Sequence, residues 1–172
     1  MIDMISYKPI GIIQTPFVEI NGMPVQPSGA GKAKGKIILD KEFEGGLFDL
    51  IGFSHITLLY HLHKVAGYKL YVVPFIDDKP HGIFATRAPA RPNPIGISTV
   101  KLKRIKGNEL YIEEVDMLDG SPLLDIKPFY PKYDNRENVK YGWLEAKDNV
   151  DISKIKSDSR FKEKNPGINR CK

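Results

Sequence analysis

The chain has 172 residues, of which 41% are hydrophobic and 27% are charged, and this is enough apolar material for one domain with its own core. Its 26 basic residues exceed the 21 acidic ones and give a formal net charge of +5. This balance is too even for a disordered polyelectrolyte, and it leaves room for an anionic partner.

The cysteine content and the first residues bear on the compartment. Cys171 is the single cysteine, so an intrachain disulfide and a thiolate zinc site are both excluded. The first residues lack a basic region followed by a long apolar run, and no stretch approaches about 18 consecutive apolar residues. We therefore expect a cytoplasmic protein that neither is secreted nor spans a membrane.

Short β-rich runs, bounded by Gly, Pro, Asn or Asp, follow one another along the chain. They are GIIQTPF, GKIILD, FSHITLLYHLH, KLYVVPF, HGIFATR, GISTVKLKRI, ELYIEEVDM and PLLDIKPFY. The only helix-like stretch covers about 41–50, so alternating βα units are missing. We predict a mainly β fold, namely a small closed β-barrel of about seven strands with one short helix, and an open sandwich is the alternative.

The first loop and the histidines suggest ligand contacts rather than a known phosphate or metal motif. Residues 29–36 are rich in glycine and lysine but have the wrong spacing for a P-loop, so we interpret them as a flexible basic loop that follows Gln26. His61 and His63 share one side of a strand without a carboxylate cluster. We expect no metal and a hydrogen-bonding role for His63 and Lys64 at a rim.

The segment TRAPARPNPIG, residues 86–96, is the most informative one. Its three prolines push the preceding residues towards extended conformations and exclude a helix. The resulting rigid loop would hold Arg91 so that little conformational entropy is lost when a ligand binds. The guanidinium of Arg91 suits a carboxylate or a phosphate. The alternative is that the prolines simply end a strand.

Charge is unevenly distributed over the next two strands. Residues 79–106 contain 7 basic and no acidic side chains, whereas residues 109–125 contain 6 acidic and no basic ones. Gly107-Asn108 resembles a two-residue hairpin loop. The two strands would then be neighbours, and cross-strand pairing would explain part of the polarity.

An Asp-Gly turn leads into the last predicted strand, LLDIKP. Asp119 suits a structural role in that turn. Asp125 and Lys127 share one face of the strand. Asp125 then either binds a ribose or an ammonium group or pairs with Lys127.

The last 25 residues form a region of different composition. Residues 148–172 contain 7 basic and 4 acidic side chains and few large apolar ones, too few to offset the entropy of ordering. We predict a barrel domain over 8–147 and a basic, flexible tail over 148–172.

The run TR-x3-RPNPIG followed by DG-[ST]-P-x-LDIKP resembles the TsaA-like (TrmO) family, and the resemblance extends over about 10–133. The family consists of S-adenosylmethionine-dependent tRNA adenosine N6-methyltransferases. The resemblance implies a small β-barrel, a homodimer, S-adenosyl-L-methionine as cofactor, and the tRNA anticodon loop as partner. The implied acceptor is N6 of threonylcarbamoyladenosine beside the anticodon.

The resemblance also assigns site residues. The positions that match the cofactor contacts of the family are Gln26, Pro27, Ser28, His63, Lys64, Arg91, Leu102, Leu124, Asp125, Ile126 and Lys127. The acceptor nitrogen must lose a proton. Asp125, His55 and Tyr130 are candidate acceptors for that proton, and Arg87 is a candidate polarising group.

Two alternatives stay open at this point. One is a non-catalytic RNA-binding barrel, which would bind RNA in a salt-dependent way without binding the cofactor. The other is a methyltransferase of the same fold with a different acceptor. Longer family members continue into a further domain after the barrel. We expect the basic tail of this chain to contribute to tRNA binding in place of that domain.

Overall fold

The computed structural model describes residues 4–161, and its main element is a six-stranded antiparallel barrel. The barrel strands are β1 (Gly11–Gln14), β2 (Lys34–Leu39), β3 (His55–His61), β6 (Ile95–Lys106), β7 (Glu109–Glu113) and β8 (Ser121–Pro128). They are ordered β1-β2-β7-β6-β3-β8, and β8 pairs with β1 to close the barrel. The predicted closed barrel is confirmed.

Two of the predicted strands are much shorter than expected and lie outside the barrel. β4 (Tyr71–Val72) and β5 (His81–Gly82) pair only with each other in a two-stranded ribbon. Pro74 and Pro80 cannot donate to a strand ladder, and the chain after β5 coils into the 3₁₀ turn Ile83–Ala85. The barrel consequently has six strands instead of about seven.

The barrel interior is filled by alternate residues of its strands. On β3 the buried positions are Ile56, Leu58 and Tyr60, while their neighbours are more exposed, as the period of two requires. The other strands and the loop after β7 complete the core with Ile13, Ile37, Leu39, Val100, Leu102, Leu110, Ile112, Val115, Met117 and Leu123.

The hairpin between β6 and β7 forms as predicted. Gly107 adopts a positive φ of 58° in its two-residue turn, a conformation that suits glycine. The pairing sets Lys101 opposite Glu113, and Lys103 Nζ lies 3.7 Å from Glu113 Oε2. The basic strand therefore lies directly against the acidic one.

Helical structure in the described residues is limited to short turns. The one α-helix is α1 (Pro131–Asp134), and the 3₁₀ turns are Pro27–Gly29, Lys41–Leu47, Leu50–Gly52, Ile83–Ala85, Gly142–Lys147, Ile152–Lys154 and Ser159–Phe161. The helix expected at 41–50 is thus replaced by two 3₁₀ turns. Gly45 and Gly46 weaken an α-helix there, and Asp49 separates the turns with a left-handed φ of 63°.

The first part of the expected tail lies against the body. The Ser157 amide donates to the Met23 carbonyl at 2.9 Å, and the Gly22 amide donates to the Ser157 carbonyl at 2.8 Å. Phe161 packs on a small cluster that includes Ile83. These contacts offset the ordering entropy that composition alone suggested would dominate. Residues 162–172 lie outside the described part of the chain, and the domain boundary at 147 stays a prediction.

The described residues hold no helix with the length and apolar character needed to cross a membrane.

Candidate active site

An open cleft of about 820 Å³ lies at one end of the barrel. Its walls come from residues 23–26, 62–65, 84–89, 95–97 and 116–118 and from the C-terminal segment, which we define as residues 142–161. Apolar and aromatic side chains form most of the surface, with a few polar groups among them, as in sites for small molecules. The cleft has room for a cofactor-sized ligand.

Five of the residues predicted from the sequence line this cleft, namely Gln26, His63, Lys64, Arg87 and Arg91. Arg87 Nη1 donates to Gln26 Oε1 at 3.1 Å. This bond joins two loops that line the cleft, so the structure brings together a predicted cofactor contact and a predicted polarising group.

The histidine of this set is held as a neutral hydrogen-bonding group. His63 Nδ1 lies 3.5 Å from Ser121 Oγ. Burial lowers the pKa of His63, and the nearby charges of Lys64 and His61 lower it further. A ring whose pKa is below its ordinary 6.5 is largely uncharged at neutral pH. His63 is therefore suited to accept or donate a hydrogen bond at the cleft.

Arg91 is anchored by its own loop. Its Nη1 donates to the carbonyls of Thr86 at 2.9 Å, Ile83 at 3.2 Å and Ala88 at 3.5 Å. The guanidinium also lies 5.8 Å from the centre of the Phe84 ring, which is 74% exposed. Arg91 thus ties together the carbonyls of its own loop, and within residues 4–161 all its side-chain hydrogen bonds use Nη1. The rigidity of the loop stays a prediction.

A hydrogen-bonded chain that the sequence did not suggest runs along the cleft wall. Ser98 Oγ donates to Asp116 Oδ1 at 2.6 Å, and Tyr60 Oη lies 3.1 Å from Ser98 Oγ. Burial raises the pKa of Asp116 to about 6, while the Ser98 bond and the charge of Arg87 oppose that rise. Asp116 lies within the motif DMLDGSP, where the Asp-Gly turn drew attention to Asp119 instead.

Asp119 has the structural role that the sequence favoured. Its Oδ1 accepts the Thr15 amide at 2.9 Å. This bond ties the end of β1 to the loop before β8.

The remaining predicted residues do not line the cleft. The turn Pro27–Gly29, which contains Pro27 and Ser28, packs against the turn Ile152–Lys154. Leu102 is buried in the core. Neither group lines the cleft.

A second cluster, which we define as His55, Asp125, Lys127, Phe129 and Tyr130, extends along β3, from Asp125 opposite Leu59 to Phe129 beside His55. Asp125 Oδ2 and Lys127 Nζ form an ion pair at 2.8 Å, and the Phe129 amide donates to the His55 carbonyl at 3.2 Å. Leu124 and Ile126 flank Asp125 on the same strand. Since His55 and Tyr60 are five residues apart on β3, His55 is about 17 Å along the strand from the cleft wall. Asp125 is much nearer, because it lies opposite Leu59, the neighbour of Tyr60.

The C-terminal segment supplies a cleft wall through residues that sequence reasoning missed. Trp143 stacks on His81 with ring centres 4.0 Å apart, and its Nε1 donates to the Ala85 carbonyl at 2.9 Å. Asp77 joins the same contact, because its carboxylate lies 2.9 Å from Lys147 Nζ and 3.0 Å from His81 Nε2. Lys147 and His81 together lower the pKa of Asp77. Composition could not reveal this wall, since it depends on partners far apart in the chain.

The histidines of the described residues do not belong to a metal-binding cluster. Among residues 4–161 no group of three His, Cys, Asp or Glu side chains is placed to hold a metal ion. The expectation that the protein uses no metal stays a prediction.

Comparisons with known proteins agree on one family. The profile described as tRNA-methyltransferase O N-terminal domain matches residues 12–135. A probable S-adenosyl-L-methionine-binding protein of Pyrococcus abyssi is 52% identical over 158 residues, which is 92% of this chain and 85% of that protein. The mouse tRNA (adenine(37)-N6)-methyltransferase is 37% identical over 77% of this chain.

Solved structures give the same result for the fold. The crystal structure of TrmO from Pseudomonas aeruginosa superposes with a TM-score of 0.69 and 35% identity, covering 82% of this chain. This chain spans 63% of the Pseudomonas chain and 32% of the mouse protein.

Proposed function

The chain belongs to the tRNA-methyltransferase O family, and from that premise we propose that it transfers a methyl group from S-adenosyl-L-methionine to N6 of an adenosine in tRNA. The acceptor we propose is threonylcarbamoyladenosine next to the anticodon. The observation that carries the proposal is the cleft, where Arg87 and Arg91 stand at the rim of a largely apolar wall.

The cleft fits the cofactor in its chemistry. S-adenosylmethionine has a carboxylate, for which a guanidinium is a good partner, and an adenosine, which suits apolar and aromatic walls. We propose that Arg91 and Arg87 hold the carboxylate, while Gln26, His63 and Lys64 complete the polar contacts. The bound cofactor supplies the activated methyl group.

The residues of this chain then act by binding and orientation. Methyl transfer from a sulfonium is an in-line displacement, so alignment of donor and acceptor supplies much of the acceleration. The loop around Arg91 is fixed by its own hydrogen bonds before any ligand arrives, which reduces the entropy lost on binding. A protein nucleophile is not needed for this reaction.

The acceptor side of the proposal rests on exposed aromatic and basic groups. Phe84 and Tyr133 are each 74% exposed, and unstacked anticodon bases stack on such rings. The basic strand β6 offers cations for the phosphates. We therefore propose the tRNA anticodon loop as the macromolecular partner, which also fits the expected cytoplasmic location.

We also propose a homodimer, because the outer face of the barrel carries an apolar patch. On this face Ile97 and Ile95 of β6 are 52% and 40% exposed. Leu59 of β3 lies opposite Ile97, so the two side chains share the face. Ile95 and Ile97 also line the cleft, and a second copy seated on this patch would therefore lie beside the cleft.

The test is methyl transfer from radiolabelled S-adenosylmethionine to two tRNA preparations, one carrying threonylcarbamoyladenosine and one an unmodified transcript. We expect label only in the modified tRNA, at N6, and mass spectrometry of the digested nucleosides checks the position. An active relative assayed in parallel is the positive control.

The other results contradict the proposal in distinct ways. Cofactor binding without label in either tRNA would point to a different acceptor. Salt-dependent RNA binding without cofactor binding would point to a non-catalytic RNA-binding barrel.

A further inference from the structure

The hydrogen-bonded chain along the cleft wall has a defined direction. The hydroxyl of Ser98 has one proton, and it is donated to Asp116 Oδ1 at 2.6 Å. Tyr60 Oη, 3.1 Å from Ser98 Oγ, must therefore be the donor in its bond with Ser98. Both hydroxyl protons point towards the carboxylate, and this arrangement favours the ionised form of Asp116.

The two hydroxyl side chains are held rigidly. Tyr60 and Ser98 are only 5% and 2% exposed. Gly96 lies opposite Tyr60 across β3 and β6, and a Cβ at Gly96 would overlap the Tyr60 ring. The ring therefore occupies the space that a side chain at position 96 would fill, and Ser98 is fixed beneath it. Asp116 is consequently oriented before any ligand binds.

The charged and titratable groups around Asp116 come from several elements. Arg87 faces it from the loop after β5 and Tyr60 from β3, and His63, Lys64 and Arg91 are the other titratable groups on the cleft walls. Among the described residues that line the cleft, Asp116 is the one carboxylate. Burial brings its pKa to about 6, so it is mostly ionised at neutral pH and still basic enough to accept a proton.

The proton acceptors expected from the sequence do not lie on the cleft wall as Asp116 does. Asp125 is paired with Lys127 at 2.8 Å, and His55 and Tyr130 belong to the second cluster. None of these three lines the cleft of its own chain.

We propose that Asp116 is the catalytic base that takes the proton from the acceptor nitrogen, an inference that rests on the proposed function. The acceptor N6 forms a bond to the methyl carbon while the carbon–sulfur bond breaks and its electron pair stays on sulfur. The N6 proton passes to the Asp116 carboxylate and from there to water. Tyr60 and Ser98 are positioning residues, which act through Asp116.

The test compares Asp116→Asn with Asp119→Asn, which removes a carboxylate three residues away in the same loop. We expect Asp116→Asn to lower the single-turnover rate at pH 8 at least about a hundredfold. Its dissociation constant for S-adenosylmethionine, measured by calorimetry, should stay within about threefold of wild type. Asp119→Asn should match wild type in both.

The pH dependence separates a base from a structural carboxylate. The wild-type rate should rise with pH through about 6 and then level off, because Asp116 must lose its proton to act. Ser98→Ala removes a hydrogen bond that lowers the pKa of Asp116, so this rise should move to higher pH. Asp116→Asn should lose the rise altogether.

Thermal melting gives a readout that is independent of activity. The pKa of Asp116 is raised from its ordinary 3.8, so the folded state binds the proton more tightly than the unfolded state. The folded state therefore loses stability as pH rises from about 4 to above 6. Replacing Asp116 by Asn should thus raise the melting temperature more at pH 8 than at pH 4.

Three outcomes would overturn the proposal. The first two concern Asp116→Asn: a rate above a third of the wild-type rate, or a defect confined to weaker cofactor binding. The third is a Ser98→Ala variant whose rate rises with pH over the same range as that of wild type. Failure of the proposed function has a different signature, because wild-type protein itself would then transfer no methyl group to tRNA.

Discussion

At the scale of single residues, Arg91 combines two roles that the sequence suggested separately. The pattern Arg-Pro-Asn-Pro predicts a rigid loop that presents a cation, with the rigidity attributed to proline. In the structure the cation itself bonds to the loop carbonyls of Thr86 and Ile83. Removing the side chain should therefore affect the fold as well as the ligand.

We expect Arg91→Ala to weaken cofactor binding at least about tenfold and also to lower the melting temperature by several degrees. Hydrogen bonds from a charged group contribute about 1.5–3 kcal/mol, and losses of this size shift the melting temperature of a domain of this length by several degrees. Calorimetry and thermal melting measure the two effects.

Arg87→Ala is the matched control, since Arg87 makes one exposed side-chain hydrogen bond, to Gln26. It should weaken cofactor binding with little change in the melting temperature. An unchanged melting temperature in Arg91→Ala would show that the loop does not depend on its guanidinium.

The sequence predicted some site residues and missed others for a physical reason. Arg91 and His63 lie in short segments whose chemistry is visible in the chain itself, and both line the cleft. Asp116, Ser98 and Tyr60 come from three elements, and only the pairing of β3 with β6 brings two of them together. A network whose members are this far apart in the chain leaves no local pattern.

At the scale of elements, the alternation of apolar residues and the turn residues predicted the barrel strands and the β6–β7 hairpin. Contacts between segments far apart in the chain could not be predicted in this way. The β6–β7 hairpin follows from Gly107-Asn108 alone. The short ribbon of β4 and β5 could not be predicted, because a β-rich run becomes a barrel strand only if a neighbour has an open edge. The position of the C-terminal segment could not be predicted either, because it is set by contacts with His81 and Met23, which are far away in the sequence.

We expect a chain ending at Lys147 to keep the barrel and to bind S-adenosylmethionine about tenfold more weakly, a loss of about 1.4 kcal/mol. The core comes from strands between Ile13 and Leu123, so its packing is unaffected. The truncation removes Ile152, Ile155 and Phe161 from the cleft wall. Calorimetry measures the affinity, and the fluorescence of Trp143, the single tryptophan, reports on the wall that remains.

A chain ending at Phe161 is the control for this truncation. It keeps every contact of the C-terminal segment described above and should bind the cofactor like the full chain. Equal affinity in both truncated chains would show that the wall beyond Lys147 contributes nothing to binding.

At the scale of the whole molecule, the distribution of charge says more about how the strands pair than the net charge does. The net charge of +5 is small, yet the basic β6 and the acidic β7 are adjacent, and Lys36 and Tyr111 both hydrogen-bond to Glu109. Much of the acidic charge is thus engaged by the barrel itself. The predicted site is also divided at this scale, because some of its residues line the cleft and others belong to the second cluster, which extends along β3 away from the cleft.

The apolar patch around Ile97 offers a way for two copies to combine these halves, and complementation between subunits tests it. Arg87→Ala, which lies in the cleft, and Asp125→Ala, which lies in the second cluster, should each be inactive as homodimers. Heterodimers of the two, purified through different tags, should recover about half of the wild-type activity, because one composite site per dimer is then intact. A heterodimer of wild type with Arg87→Ala calibrates the activity of one intact site. Inactive mixed dimers, or a wild-type chain that is monomeric by light scattering, would show that the two halves do not form a shared site.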